Sequence, residues 1–334
     1  MSHSQPSLVL GVDGGNTKTI AIVATSEGVV LGAGRAGPSD MYNAVSETAA
    51  LNEVRAAVTR ALDSAGVDAS HLAIGAFSMA GADWPEDFTF LNDTFRDFGF
   101  GRVTHVVNDA IGALRAGTPD GVGVAVVLGT GIAIGARNAQ GDIWYTGHWP
   151  VATGGAELGN RGLQAVYEGH LGLGPTTSLE EGVLGFFGVA TAEDALHRCT
   201  ARGFTRSQLE QARLAPIILD YAARGDEVAL SIVREAGARN ARVALFAART
   251  LGLEPSQFRL VLAGGVLRHP SGLLRRAIRD YVKTEIPGVT VVDDAPEPVV
   301  GAVLLAMDVG EMPSSCEVRD RIVATLPGRE LFET

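Results

Sequence analysis

The stretch LVLGVDGGNTKT, residues 8–19, joins a short apolar run to an aspartate, two glycines and four polar side chains. Its apolar half predicts a buried strand, and Asp13-Gly14-Gly15 predicts a tight turn where that strand ends. Residues 20–25 and 28–34 are two further apolar runs, so the chain is expected to open with an antiparallel three-stranded meander. Taken alone, an Asp-Gly turn is compatible with an ordinary hairpin that binds nothing.

Length and composition limit the classes of protein to consider. The chain has 334 residues, of which 46% are hydrophobic and 19% charged, which is enough to bury two sizeable cores. A formal net charge of −11 argues against broad contacts with nucleic-acid phosphates, so no nucleic-acid partner is expected. Two cysteines, Cys199 and Cys316, are too few for a disulfide framework or a four-cysteine zinc site.

The start of the chain and its longest apolar runs bear on localisation. MSHSQPS lacks the basic segment that opens a signal peptide. No apolar run approaches the roughly 20 residues that a membrane span requires. These features predict a soluble cytoplasmic protein without a membrane partner.

The order of apolar runs repeats along the chain. After the first meander come a helix, a strand, a helix, a strand over 103–107 and a short helix over 109–117. Three more strands, a group of helices between about 155 and 251, and the order strand-helix-strand-helix follow. Both halves therefore read βββαβαβα, with extra helices inserted in the second half. The interpretation is an α/β protein of two domains, residues 7–118 and 119–310, followed by a surface tail over 311–334.

Four segments in this order resemble a known family. They are DGGNTKT from residue 13, NDAIGAL from 108, VLGTGIAIG from 127 and LAGGVLR from 262. Together they resemble the BadF/BadG/BcrA/BcrD family of the actin-like ATPase and sugar kinase superfamily, over roughly residues 7–310. The resemblance implies two actin-like (ribonuclease H-like) domains of duplicated topology that flank a nucleotide cleft, with ATP and Mg²⁺ as cofactors.

The resemblance assigns three of these segments to ATP. Glycines let the backbone approach phosphate oxygens, and successive amide groups in such a turn form an anion-binding concavity. The chain has no GxxxxGK[ST] loop, and no GxGxxG motif opens a helix, so neither a P-loop nor a dinucleotide site is expected. The nucleotide-binding residues implied are Gly14, Gly15, Asn16, Thr17 and Lys18 in the first phosphate turn, Gly129, Thr130 and Gly131 in the second, and Gly264 and Gly265 in the adenosine turn.

Asp109 is the candidate catalytic residue. It follows the apolar run VTHVV at the junction of a strand and a helix, where ligands gather in α/β folds. Relatives that are sugar kinases carry in this setting the carboxylate that takes the proton from the attacking hydroxyl. Asp13 and Asp109 would hold Mg²⁺ through water, since Mg²⁺ usually keeps several waters. The alternative is that Asp109 is only a helix N-cap, a position that aspartate fills well.

The sugar side departs from the family pattern. Asp40 stands where amino-sugar kinases usually have asparagine, and a carboxylate accepts hydrogen bonds but cannot donate them. Ile132-Ala133 replaces a common Ser-Asn pair, and Asn160-Arg161 replaces two acids, which could suit an anionic substrate. Trp149 could stack on a sugar face. The sugar-binding residues expected are Asp40, Asn43, Asp83, Asp109 and His148.

Three functions remain open from the sequence. The first is an ATP-dependent kinase of an amino sugar or hexose, with glucosamine or N-acetylglucosamine as the default substrate. The second is an ATPase that drives a partner, like the activator branch of the family, which holds an iron–sulfur cluster through cysteines. The third is a nucleotide- or sugar-binding regulator without turnover. Homodimers are common among relatives, so a homodimer is a further expectation.

Overall fold

The structure is a computed structural model that describes residues 7–202, 208–253 and 258–333. The residues 1–6 on which the signal-peptide expectation rests lie outside this range. The strands are β1 Leu8–Gly14, β2 Thr19–Thr25, β3 Val30–Ala36, β4 Leu72–Met79, β5 Val103–Asn108, β6 Gly123–Leu128, β7 Ile132–Arg137, β8 Ile143–Tyr145, β9 Arg259–Ala263 and β10 Thr290–Val292. The helices are α1 Glu47–Ala65, α2 Pro85–Asp97, α3 Asp109–Gly117, α4 Gly155–His170, α5 Leu179–Phe187, α6 Ala192–Thr200, α7 Gln208–Ala212, α8 Ala215–Ala223, α9 Glu227–Thr250, α10 Leu273–Glu285, α11 Pro298–Val309 and α12 Cys316–Thr325.

The strands form two sheets of five with the same topology. The first sheet has the order β3-β2-β1-β4-β5, and the second has β8-β7-β6-β9-β10. In each sheet the first three strands are antiparallel and the last two run parallel to the central strand. The predicted α/β fold with duplicated topology is therefore confirmed. Helices α4–α9 lie between β8 and β9, where the first half has only α1, so the extra helices of the second half are among these six.

The last helix of each half packs on the sheet of the other half. Helix α11 lies on β1, β2 and β4 of the first sheet, while α3 packs on β6 and β7 of the second. Almost every residue of α11 is buried, which is why its sequence is apolar on all sides. The domain boundary at residue 118 was placed from the order of elements along the chain, and it stays a prediction. Helices α3 and α11 each pack on the sheet that lies on the other side of this boundary.

Two glycines let α3 and α11 cross closely. Gly112 and Gly301 are the fourth residues of their helices, and a Cβ on Gly301 would lie 1.8 Å from the Gly112 carbonyl oxygen. A buried ion pair joins the same helices, because Arg115 Nε donates to Asp308 Oδ2 over 2.7 Å. The two halves are thus held together by backbone contact and by charge.

The segment after residue 310 differs from the expected surface tail. Residues 316–325 form helix α12, and its Val318 and Ile322 are buried in the cluster beneath α11. A Cβ on Gly28 would meet the Val318 carbonyl oxygen at 2.7 Å, so the helix seats directly on the β2–β3 turn. The sequence did not predict this packing, because only two residues of α12 are buried against the core.

Within residues 7–202, 208–253 and 258–333, no helix is both long and apolar enough to cross a membrane.

Candidate functional site

The predicted site residues lie where parallel strands end. In the first sheet, Gly14 of β1 pairs with Met79 of β4, which in turn pairs with Asn108 of β5. In the second sheet, Val127 of β6 pairs with Ala263 of β9. Turns that follow strands paired in this way lie at the same edge of each sheet. The four segments that resemble the family, from residues 13, 108, 127 and 262, are therefore brought to these edges.

The two predicted phosphate turns touch. Thr17 Oγ1 and Thr130 Oγ1 are 3.1 Å apart, although 113 positions separate them in sequence. Each turn is closed by its own backbone hydrogen bond, from Gly15 N to the Lys18 carbonyl and from Gly129 N to the Gly131 carbonyl. The hydroxyl pair therefore marks a point where the two halves meet directly in this cleft.

Gly14 and Gly15 differ in what surrounds them. A Cβ on Gly14 would lie 2.5 Å from Met79 Cε and 2.6 Å from Ser39 Oγ, so no larger residue fits without displacing its neighbours. A Cβ on Gly15 would meet only the Lys18 carbonyl oxygen, at an ordinary 3.5 Å. Gly14 is therefore required by packing, whereas Gly15 leaves the turn open on its ligand side.

The predicted adenosine turn also depends on a glycine. Gly264 has φ +98°, and a Cβ there would lie 2.4 Å from the Leu128 carbonyl oxygen. The following Val266 N–H donates to the same carbonyl, which fixes the turn against the end of β6. A Cβ on Gly265 would have no atom within 4 Å, so the outer face of that residue is open.

Helix α4 begins against the second phosphate turn. Gly155 N donates to the Gly129 carbonyl and Ala156 N to the Thr130 carbonyl, and Gly154 abuts Gly131. Asn160 and Arg161, in contrast, lie further along the helix and face outward. Asn160 bonds to Gln211 and Arg161 pairs with Glu235, so both side chains have partners within the protein, and their interpretation as contacts to an anionic substrate stays a prediction.

Asp109 is the first residue of α3 but does not cap it. The cap is Asn108, whose side chain accepts a hydrogen bond from Ala110 N over 3.2 Å. Burial raises the pKa of Asp109 to about 8, and nearby carboxylates add to the rise. Those carboxylates belong to Asp13, Asp83 and Asp40. The N-cap alternative is thus excluded for Asp109, and its carboxylate faces a concentration of negative charge.

Asp13 is a second acid of the cleft, and like Asp109 it is partly buried. Burial raises its pKa to about 7, the charge of Glu297 adds to the rise, and Lys18 and Arg268 oppose it. Such a carboxylate gains by meeting a cation, which fits the predicted Mg²⁺ contact. Among the described residues, no three His, Cys, Asp or Glu side chains cluster as direct metal ligands. The residues present therefore fit an ion held by few carboxylates, with water and phosphate completing its shell.

Lys18 and Glu297 bring two charged side chains to the first phosphate turn. Lys18 Nζ donates to the carbonyl of Phe332, near the end of the described chain. Burial lowers the pKa of Lys18. Glu297 pairs with Arg268 over 2.5 Å, so Arg268 belongs to this cleft.

The predicted sugar-side residues gather between the halves. His148 Nε2 lies 3.6 Å from Asp83 Oδ2, and the His148 ring packs against Tyr42. Burial raises the pKa of Asp83. Asp40 is buried and accepts hydrogen bonds from Tyr42 N and the Asn43 side chain. Asn43 is exposed and oriented by Asp40, so the structure places it at the rim of the group.

Asp87 supports this group although the sequence did not single it out. Its carboxylate accepts from Asp83 N, from Trp84 N over 2.7 Å and from Tyr42 Oη. Tyr145 adds a contact from the second half, because its hydroxyl donates to the Asp83 carbonyl. The signal for Asp87 was present, since it stands three residues after the N-cap Trp84, where an acid commonly bonds back to the cap.

The sequence also placed Trp149 near the sugar. In the structure Trp149 lies beyond His148 and lines a separate cavity with Trp144 and Phe246. Only His148 of that pair turns toward the first half.

Comparisons with known proteins bear on the family and the fold of the chain. The sequence model of the BadF/BadG/BcrA/BcrD ATPase family matches residues 10–306. An N-acetylmuramic acid/N-acetylglucosamine kinase from Clostridium acetobutylicum is 27% identical over 89% of this chain and 97% of its own. An N-acetyl-D-glucosamine kinase from Dictyostelium discoideum is 27% identical over 90% and 98%. A solved structure from Chromobacterium violaceum, provisionally assigned as an N-acetylglucosamine kinase, has a TM-score of 0.69 at 23% identity, over 91% and 100%.

Proposed function

This chain belongs to the BadF/BadG/BcrA/BcrD ATPase family, and from that premise we propose that it is an ATP-dependent sugar kinase. Its acceptor is an amino sugar or hexose of the glucosamine and N-acetylglucosamine type, in keeping with the names of its relatives. The observation that carries the proposal is the contact of Thr17 with Thr130, which joins two phosphate turns in the cleft of the partly buried Asp109.

The first part of the mechanism is nucleotide binding. Backbone amides of the two phosphate turns and the hydroxyls of Thr17 and Thr130 would hold phosphate oxygens, with Lys18 as a point charge. Gly264 and Gly265 would let adenosine lie against the backbone. Mg²⁺, when bound through Asp13 and Asp109 and their waters, neutralises charge on the transferring phosphate.

The second part is proton transfer. The sugar hydroxyl attacks the γ-phosphorus, the bond from that phosphorus to the β-phosphate oxygen breaks, and ADP leaves. Asp109 takes the hydroxyl proton as general base. Its pKa of about 8 lies near neutral pH, where a positioned carboxylate can change protonation state during turnover. Phosphoryl transfer needs mainly positioning and neutralised charge, so one base suffices.

The sugar side supports a preference within this class. Ile132 and Ala133 offer no polar side chain to an acetamido group, and Asp40 can only accept hydrogen bonds. We therefore expect glucosamine or a neutral hexose to be phosphorylated at least as efficiently as N-acetylglucosamine.

A coupled ADP-release assay over a panel of sugars tests the proposal. The panel holds N-acetylglucosamine, N-acetylmuramic acid, glucosamine and glucose, with a reaction lacking sugar as control. Sugar-dependent ADP release supports a kinase, and a strong preference for an acetylated sugar would overturn the specificity argument. ADP release at the same rate with and without sugar would favour an ATPase that drives a partner protein. ATP binding without ADP release would favour a regulator.

The cysteines give the activator alternative little support. Cys199 packs against the core of the second half, whereas Cys316 begins α12 on the first half. Two cysteines on separate halves of one chain do not form a shared cluster site.

A further inference from the structure

A second cavity lies outside the cleft. It has a volume of about 560 Å³ and lies between the edge strand β8, the loop over 146–151 and helix α9. Its lining residues are distinct from the nucleotide turns and from the sugar-side group. Its principal walls are Trp144, Trp149, Val151, Arg239, Arg242 and Phe246.

Aromatic side chains form the walls of this cavity. Trp149 is 69% exposed and Phe246 is 55% exposed, which is unusual for two large apolar side chains that face one space. Trp144 and Phe246 meet edge to face, with ring centroids 5.4 Å apart and an interplanar angle of 70°. Rings held in this way present preformed apolar faces on which a planar ligand can stack.

Two arginines give the cavity a positive charge. Arg239 donates from Nε to the Val151 carbonyl and from its terminal nitrogen to the Pro150 carbonyl, each over 2.9 Å. These neutral carbonyl acceptors hold the loop over 146–151 against α9 and leave the positive charge of Arg239 without a negative partner. Arg242 is exposed and makes no ion pair or hydrogen bond with any residue that the structure describes. Among the described residues no acidic side chain lines the cavity, although the whole chain carries a net charge of −11.

We propose that this cavity is a second ligand site, which binds a small anionic molecule with a planar apolar body, such as an aromatic carboxylate. Its volume lies within the range of about 300–1,000 Å³ typical of small-molecule sites. The indole and phenyl faces would cover the apolar body. Arg242, which has no other partner among the described residues, would pair with the carboxylate through its planar fork of donors.

The loop of this cavity connects it to the sugar side. Trp149 lines the cavity, and the adjacent His148 lies 3.6 Å from Asp83 and packs against Tyr42 of the first half. A ligand that fixes Trp149 therefore limits where His148 can lie. Resting on the proposed function, we expect occupancy of the cavity to change the KM for the sugar.

Calorimetry with two matched probes, indole-3-acetate and the uncharged indole-3-ethanol, tests the site directly. It is done on the full chain without ATP or sugar, so its outcome does not depend on the proposed kinase activity. We expect the acid to bind at least about tenfold more tightly than the alcohol, equivalent to about 1.4 kcal/mol. Arg242→Gln should reduce this difference, although Arg239 keeps its charge, and Phe246→Ala should weaken the binding of both probes.

Arg234→Gln is the matched control, because Arg234 is an exposed arginine of the same helix that does not line the cavity. Equal binding of acid and alcohol by the wild type, or equal effects of Arg242→Gln and Arg234→Gln, would overturn the proposal. The proposal would also be overturned if indole-3-acetate failed to bind and sedimentation showed a wild-type homodimer that dissociates in Phe246→Ala. A sugar KM that stays constant at saturating indole-3-acetate would refute the coupling to His148.

Discussion

Asn108 and Asp109 are neighbours at the start of α3, and the structure gives them different hydrogen bonds. Asn108 accepts from Ala110 N and donates to Asp83 Oδ1, so it caps the helix and orients the sugar side. The Asp109 carboxylate has neither task and lies among the cleft carboxylates. Replacing each residue should therefore have a different effect.

Asp109→Asn should separate binding from chemistry. Asparagine keeps the size of the side chain but cannot take the hydroxyl proton, and a general base typically contributes about 10²–10⁴-fold. We expect turnover to fall by that order, with a melting temperature near pH 7 that is no lower than that of the wild type, because asparagine carries no buried charge, and with ATP affinity retained when Mg²⁺ is absent. Measuring kcat, Tm and ATP binding on the same preparation checks this. Turnover within about threefold of wild type would show that Asp109 is not the base.

The two glycines of the first turn offer a cleaner test of ATP binding. Gly15→Val places a branched side chain where a Cβ would meet only the Lys18 carbonyl oxygen, at 3.5 Å, whereas Gly14 is surrounded by Met79 and Ser39. ATP affinity should fall at least about tenfold for Gly15→Val while Tm stays near the wild-type value. Calorimetric titration with ATP decides, and undiminished binding by a folded variant would refute the phosphate turn.

For individual residues, the sequence predicted where a side chain lies better than which contacts it makes. It predicted which residues meet, because turns after register-paired strands must converge. It missed Asp87 and Tyr145, which act by orienting the Asp83 loop. Such contacts depend on how distant elements pack, which spacing along one chain does not contain.

Among the elements, α3 and α11 matter most for the geometry of the cleft. Each follows the last strand of one half and packs on the sheet of the other half. Asp109 starts α3, and Glu297, whose charge acts on Asp13, is the N-cap residue of α11. The crossing of these helices therefore fixes the two acidic sides of the cleft relative to each other.

Gly301→Ala should disturb that crossing. The added Cβ would lie 1.8 Å from the Gly112 carbonyl oxygen, which is backbone and cannot rotate away. We expect a loss of about 1–3 kcal/mol in the free energy of unfolding, the usual cost of overpacking. Gly185→Ala is the control, because a Cβ at that position in α5 would have no atom within 4 Å and should gain about 0.5–1 kcal/mol. Urea unfolding of both variants measures this, and equal changes would mean that the crossing tolerates a methyl group.

The sequence predicted the order of elements but not this exchange between halves. An apolar helix at 298–309 reads the same whether it covers the second sheet or the first. Helix α12 was missed for a related reason, since only Val318 and Ile322 are buried in it. Which surface covers an apolar helix is decided by three-dimensional complementarity.

For the molecule as a whole, the cleft concentrates negative charge in a protein that is already acidic. Burial is the main reason that the pKa values of Asp109 and Asp13 rise, to about 8 and about 7. Both groups have an ordinary pKa of 3.8. The folded protein therefore binds protons that the unfolded chain releases, and its stability must depend on pH in a definite direction.

The sign follows from the raised pKa values. Below about pH 4 both states are protonated, so the stabilising contribution of these protons is fully present. It is lost progressively as pH rises toward the folded-state pKa values of about 7 and about 8.

In the presence of a chelator and without nucleotide, the wild-type Tm should therefore fall between pH 5 and pH 8 more steeply than that of Asp109→Asn, which cannot titrate at this position. Asp97→Asn, at an exposed aspartate of α2, should follow the wild type. Thermal unfolding of the three proteins across this range measures the slopes. Parallel curves for wild type and Asp109→Asn would show that the Asp109 carboxylate keeps its ordinary pKa in the folded protein, and the charge argument for its role as a base would fail with it.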